Sequence, residues 1–401
     1  MNMSWQDHLQ RQLERLQVLD LRRRRGGLLP RIQAKNDSRT HDTTATRLID
    51  GPLDFGNNDY LGLRQHPHIY TAVQETLQRC GWGSGASPVL CGHHTLHSRL
   101  EQALAELNQV EDSLVFSSGF ACNLGVLSCL LDQDSIVFSD QLNHASLIDG
   151  IRLGRSDRVI YNHCDLDHLK SQLKSRRAQY QRSLIVTESI FSMDGDQAPL
   201  LQLAELAGQY DSALIVDEAH ALGLFGTRGA GLLEEMQLSD QVLLKLGTLS
   251  KSLGGVGGYV AGCSVTMEYL VNRCRSYLFS TAPPAAAMAA ALAAVELLPS
   301  LCAIRTQLLE QARALRTRLS DMGWTVPSGR SPIIPLVIGE ASDAIALSRR
   351  LGQQGIYVPA IRPPTVPNGT SRLRISLSAT HTTQDFDRLC SVLGPAATKA
   401  V

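Results

Sequence analysis

The sequence has no surplus of either charge and few aromatic residues. Lysine plus arginine and aspartate plus glutamate each number 38 in 401 residues, and aromatic residues make up 5%. A chain without a net charge has no general attraction for nucleic acid or for an anionic membrane surface. We therefore predict neither of these as a partner.

Motifs for metals, nucleotides and membranes are also missing. The nine cysteines include no C-x-x-C pair and no short spacing to histidine that would make a zinc site, so we expect no metal site and a reducing compartment. No glycine loop has the context of a nucleotide-binding motif. The N-terminus lacks an apolar core with a cleavage site, and the apolar stretch from Ala285 to Ala294 is too short to span a bilayer. We predict a cytoplasmic protein without a membrane span.

Short apolar runs alternate with amphipathic stretches from Leu114 to Val260. Strands are predicted at residues 114–116, 135–138, 158–161, 183–188, 213–216 and 242–246, with helices between them. This alternation indicates an α/β fold with a mostly parallel sheet and helices on both faces. We divide the chain into an N-terminal helical arm with a small-domain segment at 1–52, a large α/β domain at 53–284 and a smaller α+β domain at 285–401.

Two predicted strand ends bring an acid and a lysine to one edge of the sheet. Asp217 follows the run 213–216, and Lys251 lies in the loop after the run 242–246. Ligands bind at this edge of open α/β sheets. Pyridoxal phosphate (PLP) chemistry uses such a pair, because a lysine holds the aldehyde as a Schiff base and an acid keeps the ring nitrogen protonated. The alternative is a turn-capping Asp217 and a solvated Lys251. Lys245 is the rival lysine, and we interpret it as an outward-facing strand position.

Two further strand-end loops have both a functional and a purely structural reading. The small residues from Ser117 to Asn123 leave the first N–H groups of a helix open, either for a phosphate or for an ordinary cap. His144 precedes another helix, where its ring can stack on a flat cofactor or serve only in the turn.

Arginines near both termini are open to the same two readings. Trp5, Leu9 and Leu13 recur at helical spacing in a stretch that ends at Arg22 to Arg25. The arginine run is either a solvated helix end or an anion site. Arg362 lies beside two prolines, which would present its guanidinium rigidly to a carboxylate unless it is an ordinary surface residue.

Taken together, these segments resemble the α-oxoamine synthases, a family of fold-type I PLP-dependent transferases. The matching stretches are NNDYLGL, GSGAS, SSGFACN, NHASL, TESIFSMDGD, VDEAH, GTLSKSLG, FSTAPP and AIRPPTVPNGTSRLRISLSATHT. They follow the order of the family and cover nearly the whole chain. One departure is SGASPVLCGHH, where many members have a GGS-type loop and another residue in place of Pro88. This departure leaves the shape of the acyl-donor entrance open.

The resemblance implies PLP as the cofactor and assigns residues around it. Lys251 would carry PLP, Asp217 would meet its ring nitrogen, His220 its phenolic oxygen, and His144 would stack on the ring. Further cofactor contacts would come from Ser118, Gly119, Phe120, Ser192 and Thr248, and from Thr281 of the partner subunit in a homodimer. The implied substrate-binding residues are Asn58, Glu188, Arg362 and Thr365, with Arg22 and Arg23 at the far end of the acyl chain. Which residue of the run Arg22 to Arg25 contacts that chain stays open.

Within the family, the AIRPPTVP segment favours the members that condense L-alanine with a pimeloyl thioester in biotin synthesis. The implied products are 8-amino-7-oxononanoate, CO2 and the free thiol carrier, which is either CoA or an acyl carrier protein. The alternative is a member that uses glycine or serine, such as 2-amino-3-ketobutyrate CoA ligase with glycine and acetyl-CoA. A PLP-fold protein without catalysis belongs to a different class, and the presence of both Asp217 and Lys251 argues against it.

Overall fold

The structure is a computed structural model that describes residues 4–23 and 52–396. Its α-helices are α1 (Trp5–Val18), α2 (Pro67–Cys80), α3 (Thr95–Asn108), α4 (Gly119–Leu130), α5 (Ala145–Leu153), α6 (Leu166–Arg176), α7 (Leu200–Gln209), α8 (Leu232–Glu235), α9 (Ser264–Arg273), α10 (Arg275–Leu278), α11 (Ala285–Leu297), α12 (Cys302–Asp321), α13 (Ala341–Gln353) and α14 (Thr383–Leu393). Its strands are β1 (Leu53–Asp54), β2 (Asp112–Phe116), β3 (Ser135–Asp140), β4 (Asp157–Tyr161), β5 (Arg182–Glu188), β6 (Ala213–Asp217), β7 (Leu244–Thr248), β8 (Gly258–Gly262), β9 (Ile333–Gly339), β10 (Ile356–Tyr357), β11 (Ala360–Ile361) and β12 (Ser371–Ser376).

The largest sheet has seven strands in the order β2-β8-β7-β6-β5-β3-β4. All its pairs are parallel except those of β8, which runs antiparallel to both β2 and β7. The predicted mostly parallel α/β sheet is therefore confirmed. The antiparallel insertion of β8 was not foreseen from the alternation of strands and helices.

Side chains of the sheet alternate between two buried clusters. Ile136 and Phe138 of β3 face one cluster and Val137 faces the other, and in β6 Val216 and Ile215 likewise lie in different clusters. Helices α3, α6 and α7 contribute to the first cluster, and α4, α5 and α9 contribute to the second. Burial on both faces explains why these strands read as continuous apolar runs. Helices on both faces are thus confirmed.

The sheet has a topological switch point between β3 and β5. Strand β3 pairs with β4 on one side and with β5 on the other. The helices that follow β3 and β5, α5 and α7, belong to opposite faces of the sheet. Connections that diverge in this way open a crevice at the carboxyl ends of the two strands, where ligands of such folds bind. His144 follows β3 and Ser192 follows β5, so both lie at this crevice.

The C-terminal part has its own small sheet. Strand β12 pairs antiparallel with β11 and β9, while β10 pairs in parallel with β1 near the start of the chain. Phe55, just after β1, packs against His381 with ring centroids 4.3 Å apart. The segment after β1 is therefore held against the C-terminal elements. The domain limits at 52/53 and 284/285 stay a prediction.

Helices α11 and α12 form one long helical stretch, from Ala285 to Asp321, joined by a 3-10 turn. The apolar run at Ala285 therefore continues into a longer helix than the sequence suggested. By length and composition alone, this stretch could cross a membrane. Half of its most apolar window is buried inside the protein, as in the core helices of globular proteins. Ala291, Ala294 and Leu298 are among its core residues.

Candidate active site

The amine of Lys251 begins a chain of short hydrogen bonds. Lys251 follows β7, and its Nζ lies 2.7 Å from His220 Nε2. His220 Nδ1 lies 2.7 Å from the hydroxyl of Tyr60, and this hydroxyl donates to Asn58 Oδ1 at 3.2 Å. Burial lowers the pKa of Lys251 to about 8 and holds the pKa of His220 well below its ordinary value. The lysine amine is therefore much more available as a base than an exposed lysine would be.

Asp217 lies at the end of β6 with both carboxylate oxygens hydrogen-bonded. Its Oδ2 accepts from Asn123 Nδ2 at 2.7 Å, and its Oδ1 accepts from the N–H of Ala219 at 2.8 Å. Glu188, the last residue of β5, is its partner in the strand register. Burial, together with repulsion by Asp217, raises the pKa of Glu188 well above its ordinary value. Burial and the neighbouring Asp217 therefore favour the neutral form of the Glu188 carboxyl.

His144 is connected to Asp217 through two side chains. It caps the N-terminus of α5, and its Nδ1 lies 2.7 Å from Ser146 Oγ. Asn123 Nδ2 donates to Ser146 Oγ at 3.0 Å as well as to Asp217. Burial lowers the pKa of His144, with a contribution from the Lys251 charge and an opposing one from Asp217. The structure thus brings four predicted catalytic residues, Lys251, Asp217, His220 and His144, into one group.

The start of α4 forms a second part of the same region. Ser118 caps this helix by accepting from the N–H of Ala121 at 3.1 Å. Gly119 lies so close to Thr248 that a Cβ on the glycine would be 3.3 Å from Thr248 Cβ. A Cβ on Gly258 of β8 would lie 2.5 Å from Gly119 Cα. The absence of side chains at Gly119 and Gly258 lets the helix start, the strand end and Thr248 approach one another closely.

Arg374 joins the C-terminal sheet to this group. It belongs to β12 and is 4% exposed. Its Nε donates to the carbonyl oxygen of Ser192 at 2.6 Å, and its Nη1 donates to Asn58 Oδ1 at 3.0 Å. The guanidinium therefore fixes both the loop after β5 and the amide at the end of the Lys251 hydrogen-bond chain.

A second cluster forms where the residues after α1 meet the loop after β11. Arg23 Nη2 donates to Thr365 Oγ1 at 3.0 Å, and a guanidinium N–H of Arg362 donates to the carbonyl oxygen of Asp20. The Nε of Arg362 is buried without a hydrogen-bond partner in the described chain. Arg22 is partly buried beside them, and Arg24 and Arg25 lie outside the described residues. The structure thus brings Arg23, Arg362 and Thr365 together.

Thr281 is exposed on the segment before α11. Its carbonyl accepts from Ser280 Oγ at 3.5 Å. Within the described part of this single chain, no hydrogen bond connects it to Lys251 or Thr248. Its predicted place in the site of a partner subunit stays a prediction.

The whole region from β1 to α14 agrees with one protein family. The sequence model described as "Aminotransferase class I and II" matches residues 50–393. The chain belongs to the class I and II aminotransferase family. With this fold it is a fold-type I, PLP-dependent enzyme, and the solved structures that it resembles include members with bound PLP.

Relatives in this family narrow the class of enzyme. A protein from Acetivibrio thermocellus named "Putative 8-amino-7-oxononanoate synthase" is 44% identical over 85% of this chain and 88% of its own length, and further relatives at 40–45% identity are named 8-amino-7-oxononanoate synthase. Among solved structures, serine palmitoyltransferase from S. paucimobilis with a bound PLP-myriocin aldimine has a TM-score of 0.83 at 31% identity, covering 86% of both chains. The 8-amino-7-oxononanoate synthase of Francisella tularensis has a TM-score of 0.74 at 28% identity, covering 85% of this chain and 96% of its own. The chain is accordingly a PLP-dependent acyltransferase.

The residues present fit the cofactor of this family. A carboxylate at a strand end suits a protonated ring nitrogen, a partly buried amine of lowered pKa suits an aldehyde, and a glycine-started helix with Ser118 and Thr248 suits a phosphate. A buried polar atom next to Asp217, Glu188 Oε1, also has no protein partner in the described chain.

Lys245, the rival lysine, is placed differently from our interpretation. It is 1% exposed rather than outward-facing, and its Nζ donates to the carbonyl oxygen of Asn108 and to Ser239 Oγ. Both partners lie away from the hydrogen-bond chain of Lys251. The outward-facing interpretation was wrong because a strand covered on both faces has no solvent side.

Sequence reasoning missed Tyr60 and Arg374 as parts of the site. Tyr60 lies within the recognised stretch NNDYLGL, but its phenol gave no reason to expect a contact with His220, 160 residues away in the chain. Arg374 did leave a usable signal. The pattern Arg372-Leu373-Arg374-Ile375 in β12 alternates charge with apolar residues, and both arginines are buried, which requires specific partners.

Proposed function

We propose that the protein condenses L-alanine with a pimeloyl thioester to give 8-amino-7-oxononanoate, CO2 and the free thiol carrier, in biotin biosynthesis. The observation that carries the proposal is the group of Lys251, His220 and Asp217, in a chain 44% identical to a relative named for this product. A base and a buried carboxylate at adjacent strand ends are the two protein groups that removal of an amino-acid α-proton on PLP requires.

The residues that would hold PLP are those already brought together. Lys251 would carry the cofactor covalently, and Asp217 would hold a proton at its ring nitrogen. Ser118, Gly119, Phe120 and Thr248 would bind its phosphate, and His144 would cover its ring. When bound, PLP supplies an electron-withdrawing ring that stabilises negative charge at the α-carbon of the amino acid.

Proton transfer is assigned to Lys251, and the positioning of its amine to His220. With a pKa of about 8, roughly a quarter of the free amine is neutral at pH 7.5, compared with about a thousandth for an ordinary lysine. The neutral amine can accept the α-proton at Nζ. His220 Nε2, 2.7 Å from Lys251 Nζ, holds the amine in place, and the Tyr60 hydroxyl fixes the other ring nitrogen, Nδ1. Ser192, Glu188 and Asn58 would surround the substrate.

The arginine cluster would select the carboxylates of the substrates. The unpaired Nε of Arg362 can bind a carboxylate, and Arg22, Arg23 and Thr365 lie beside it for the distal end of the acyl chain. A charge-assisted hydrogen bond contributes about 1.5–3 kcal/mol, and each buried methylene about 0.8 kcal/mol. A pimeloyl chain gains from both, whereas acetyl and palmitoyl chains lack the distal carboxylate.

A serine-using α-oxoamine synthase is the second candidate. The higher TM-score of the serine palmitoyltransferase, 0.83 against 0.74, favours it, whereas the identity of 44% to the relative named for 8-amino-7-oxononanoate favours the first proposal. The reaction of glycine with acetyl-CoA differs from both candidates in its amino acid and in its short acyl chain, so a substrate assay distinguishes it from them.

A matrix of substrates tests the proposal. The holoenzyme is assayed with L-alanine, glycine and L-serine, each against pimeloyl-, acetyl- and palmitoyl-CoA, by release of free thiol and by mass spectrometry of the product. We expect L-alanine with pimeloyl-CoA to give the highest kcat/KM. A higher kcat/KM for L-serine with palmitoyl-CoA, or for glycine with acetyl-CoA, would replace the proposal with that activity. Pimeloyl-acyl carrier protein in place of the CoA ester identifies the carrier.

We further propose a cytoplasmic homodimer without a membrane or nucleic-acid partner. The apolar residues Trp5, Leu9 and Val18 of α1 are 80%, 54% and 83% exposed, and Phe279 beside Thr281 is 73% exposed. A second copy would cover such surfaces and supply its Thr281 to the phosphate site. Sedimentation should give twice the chain mass, and a fully active monomer would contradict the dimer.

A further inference from the structure

His163 lies between two carboxylates at the carboxyl edge of the sheet. It follows β4, its Nδ1 is 2.8 Å from Asp140 Oδ1, and its Nε2 is 2.8 Å from Asp196 Oδ2. An imidazole that faces an acceptor with each nitrogen carries a hydrogen on both and is a cation. Burial alone would lower the pKa of His163, but the hydrogen bonds to Asp140 and Asp196 raise it to about 12.

The two carboxylates belong to the two loops that diverge at the switch point. Asp140 ends β3, and its Oδ1 also accepts from the N–H of Leu142 in the turn that leads to His144. Asp196 lies in the loop after β5 that contains Ser192, and its carbonyl oxygen accepts from the N–H of Phe191 at 3.0 Å. Asp140 is therefore fixed to the His144 loop, and Asp196 is fixed to the Ser192 loop.

Among the described residues, no strand pairing joins these two loops, although Asn143, just before His144, donates from Nδ2 to the carbonyl oxygen of Val186 in β5 at 2.8 Å. The ladder between β3 and β5 ends at the pair Ser139 and Val186, before either loop begins. Phe191 packs edge-on against the ring of His163, with centroids 4.4 Å apart and planes at 89°, which fixes the orientation of the imidazole. His163 is thus a half-buried link between the two loops, beyond the end of the β3–β5 ladder and in addition to the contact of Asn143 with Val186.

A metal ion is the competing explanation of this cluster. Ligand atoms of Asp140, His163 and Cys164 lie within 4.8 Å of one another. A metal takes the lone pair of a neutral imidazole, whereas both nitrogens of His163 are directed at carboxylate oxygens at hydrogen-bond distance. This geometry favours the cation.

We propose that His163 is a positioning residue, which as a fixed cation between Asp140 and Asp196 locks the His144 loop to the Ser192 loop. The inference rests on the proposed function, because it concerns the placement of two residues assigned to PLP and substrate. Without the link, the faces of the crevice can move relative to each other, and the cofactor loses its fixed surroundings.

A double-mutant cycle tests the link. His163→Gln removes the cation, Asp196→Asn removes one carboxylate at constant shape, and the double variant removes both. His168→Gln is the matched control, because this partly exposed histidine accepts only from the N–H of Asn162 and from Gln172 near it in the described chain. The readouts are PLP affinity, the circular dichroism of bound PLP, kcat and KM, and the unfolding midpoint.

We expect each single variant to bind PLP more weakly and to lose about 10- to 100-fold in kcat, as for a displaced catalytic group, with KM changed less. The circular dichroism of bound PLP should decrease in step. The double variant should be no worse than the more affected single variant, and His168→Gln should match the wild type. If His163→Gln does not fold, the loss of PLP affinity and dichroism in Asp196→Asn carries the test.

Three results would overturn the proposal. Single variants with a lower unfolding midpoint but unchanged PLP affinity and dichroism would show a purely structural role. Additive losses in the double variant would show that His163 and Asp196 act independently. One equivalent of zinc in the wild-type protein, lost in His163→Gln, would show a metal site. Failure of the proposed function is distinguishable, because it appears as missing turnover of the wild type while PLP affinity and dichroism still respond to the variants.

Discussion

Replacing Tyr60 by phenylalanine isolates the hydrogen bond that holds His220 against Lys251. Tyr60 is fully buried, and phenylalanine retains its ring, so the variant leaves no large cavity. The change removes the hydroxyl that lies 2.7 Å from His220 Nδ1, and His220 is 3% exposed, so water has little access to replace it. Asn58 Oδ1 keeps its second donor, Nη1 of Arg374. Of the two hydrogen-bond partners of the Tyr60 hydroxyl, the imidazole of His220 is therefore the one left without a replacement.

An unsatisfied buried polar atom costs about 1–3 kcal/mol, so we expect the free energy of unfolding of Tyr60→Phe to fall by that amount. The amine of Lys251 also loses its fixed partner, and kcat/KM should decrease by about 10- to 100-fold. Urea titration of the holoenzyme measures the first quantity and steady-state kinetics with L-alanine and pimeloyl-CoA the second. The matched control is Tyr277→Phe, a buried tyrosine whose hydroxyl makes no hydrogen bond in the described chain. Unchanged kinetics in Tyr60→Phe, or an equal loss in Tyr277→Phe, would refute this reasoning.

Four other substitutions have definite expectations. Lys251→Ala should abolish the borohydride-reducible link to PLP, detected by peptide mass spectrometry. Lys245→Ala should keep this link and lose about 1–3 kcal/mol of stability, because the buried carbonyl oxygen of Asn108 and the half-buried hydroxyl of Ser239 lose their donor. The reverse pattern would exchange the roles of the two lysines. Asp217→Asn should still bind PLP but exchange the α-proton of alanine at least about 100-fold more slowly, as followed by NMR in D2O, and near-normal exchange would exclude the assigned role. Burial raises the pKa of Glu218 from 4.5 to about 7, so the folded state retains a proton that the unfolded chain releases, and stability is lost as the pH rises from 4.5 through about 7. This loss of stability amounts to at most roughly 3 kcal/mol. Urea titrations at pH 5 and pH 8 measure it, and Glu218→Gln should remove the difference between the two. The same pH dependence in Glu218→Gln as in the wild type would contradict the assignment to Glu218.

The sequence predicted those features of the fold and the site that depend on residues close together in the chain. Apolar runs located six of the seven strands of the large sheet, all but β8. The polar residues after two of these runs placed Asp217 and Lys251 at its carboxyl edge, because parallel strands end together. Contacts between distant segments were not accessible in this way. Arg374 reaches Asn58 across 316 residues, and His163 reaches Asp196 only because the loop after β5 folds back. The pattern of residues around Arg374 or His163 does not indicate which distant residue it contacts.

Lys245 shows a different limit of pattern reading. A charged residue within a strand is normally interpreted as solvent-facing, since a buried ammonium needs compensation. Here the carbonyl oxygen of Asn108 and the hydroxyl of Ser239 provide it. Asn108 ends helix α3 and Ser239 begins a 3-10 turn after α8, and their positions beside β7 follow from the assembled fold. The burial of Lys245 could therefore be recognised only in three dimensions.

The antiparallel strand β8 has a consequence for the synthesis of the protein on the ribosome. Strand β2 has β8 as its neighbour in the sheet, and Leu114 pairs with Val260. At about 5–20 residues per second, β2 waits on the order of ten seconds for that neighbour. Until then, an apolar strand with unpaired N–H and C=O groups is exposed, and helix α4, which follows β2 and begins at Gly119, has no Gly258 to rest against. The nascent chain is therefore most vulnerable to aggregation in this interval, and a chaperone that shields β2 would act between the emergence of β2 and that of β8.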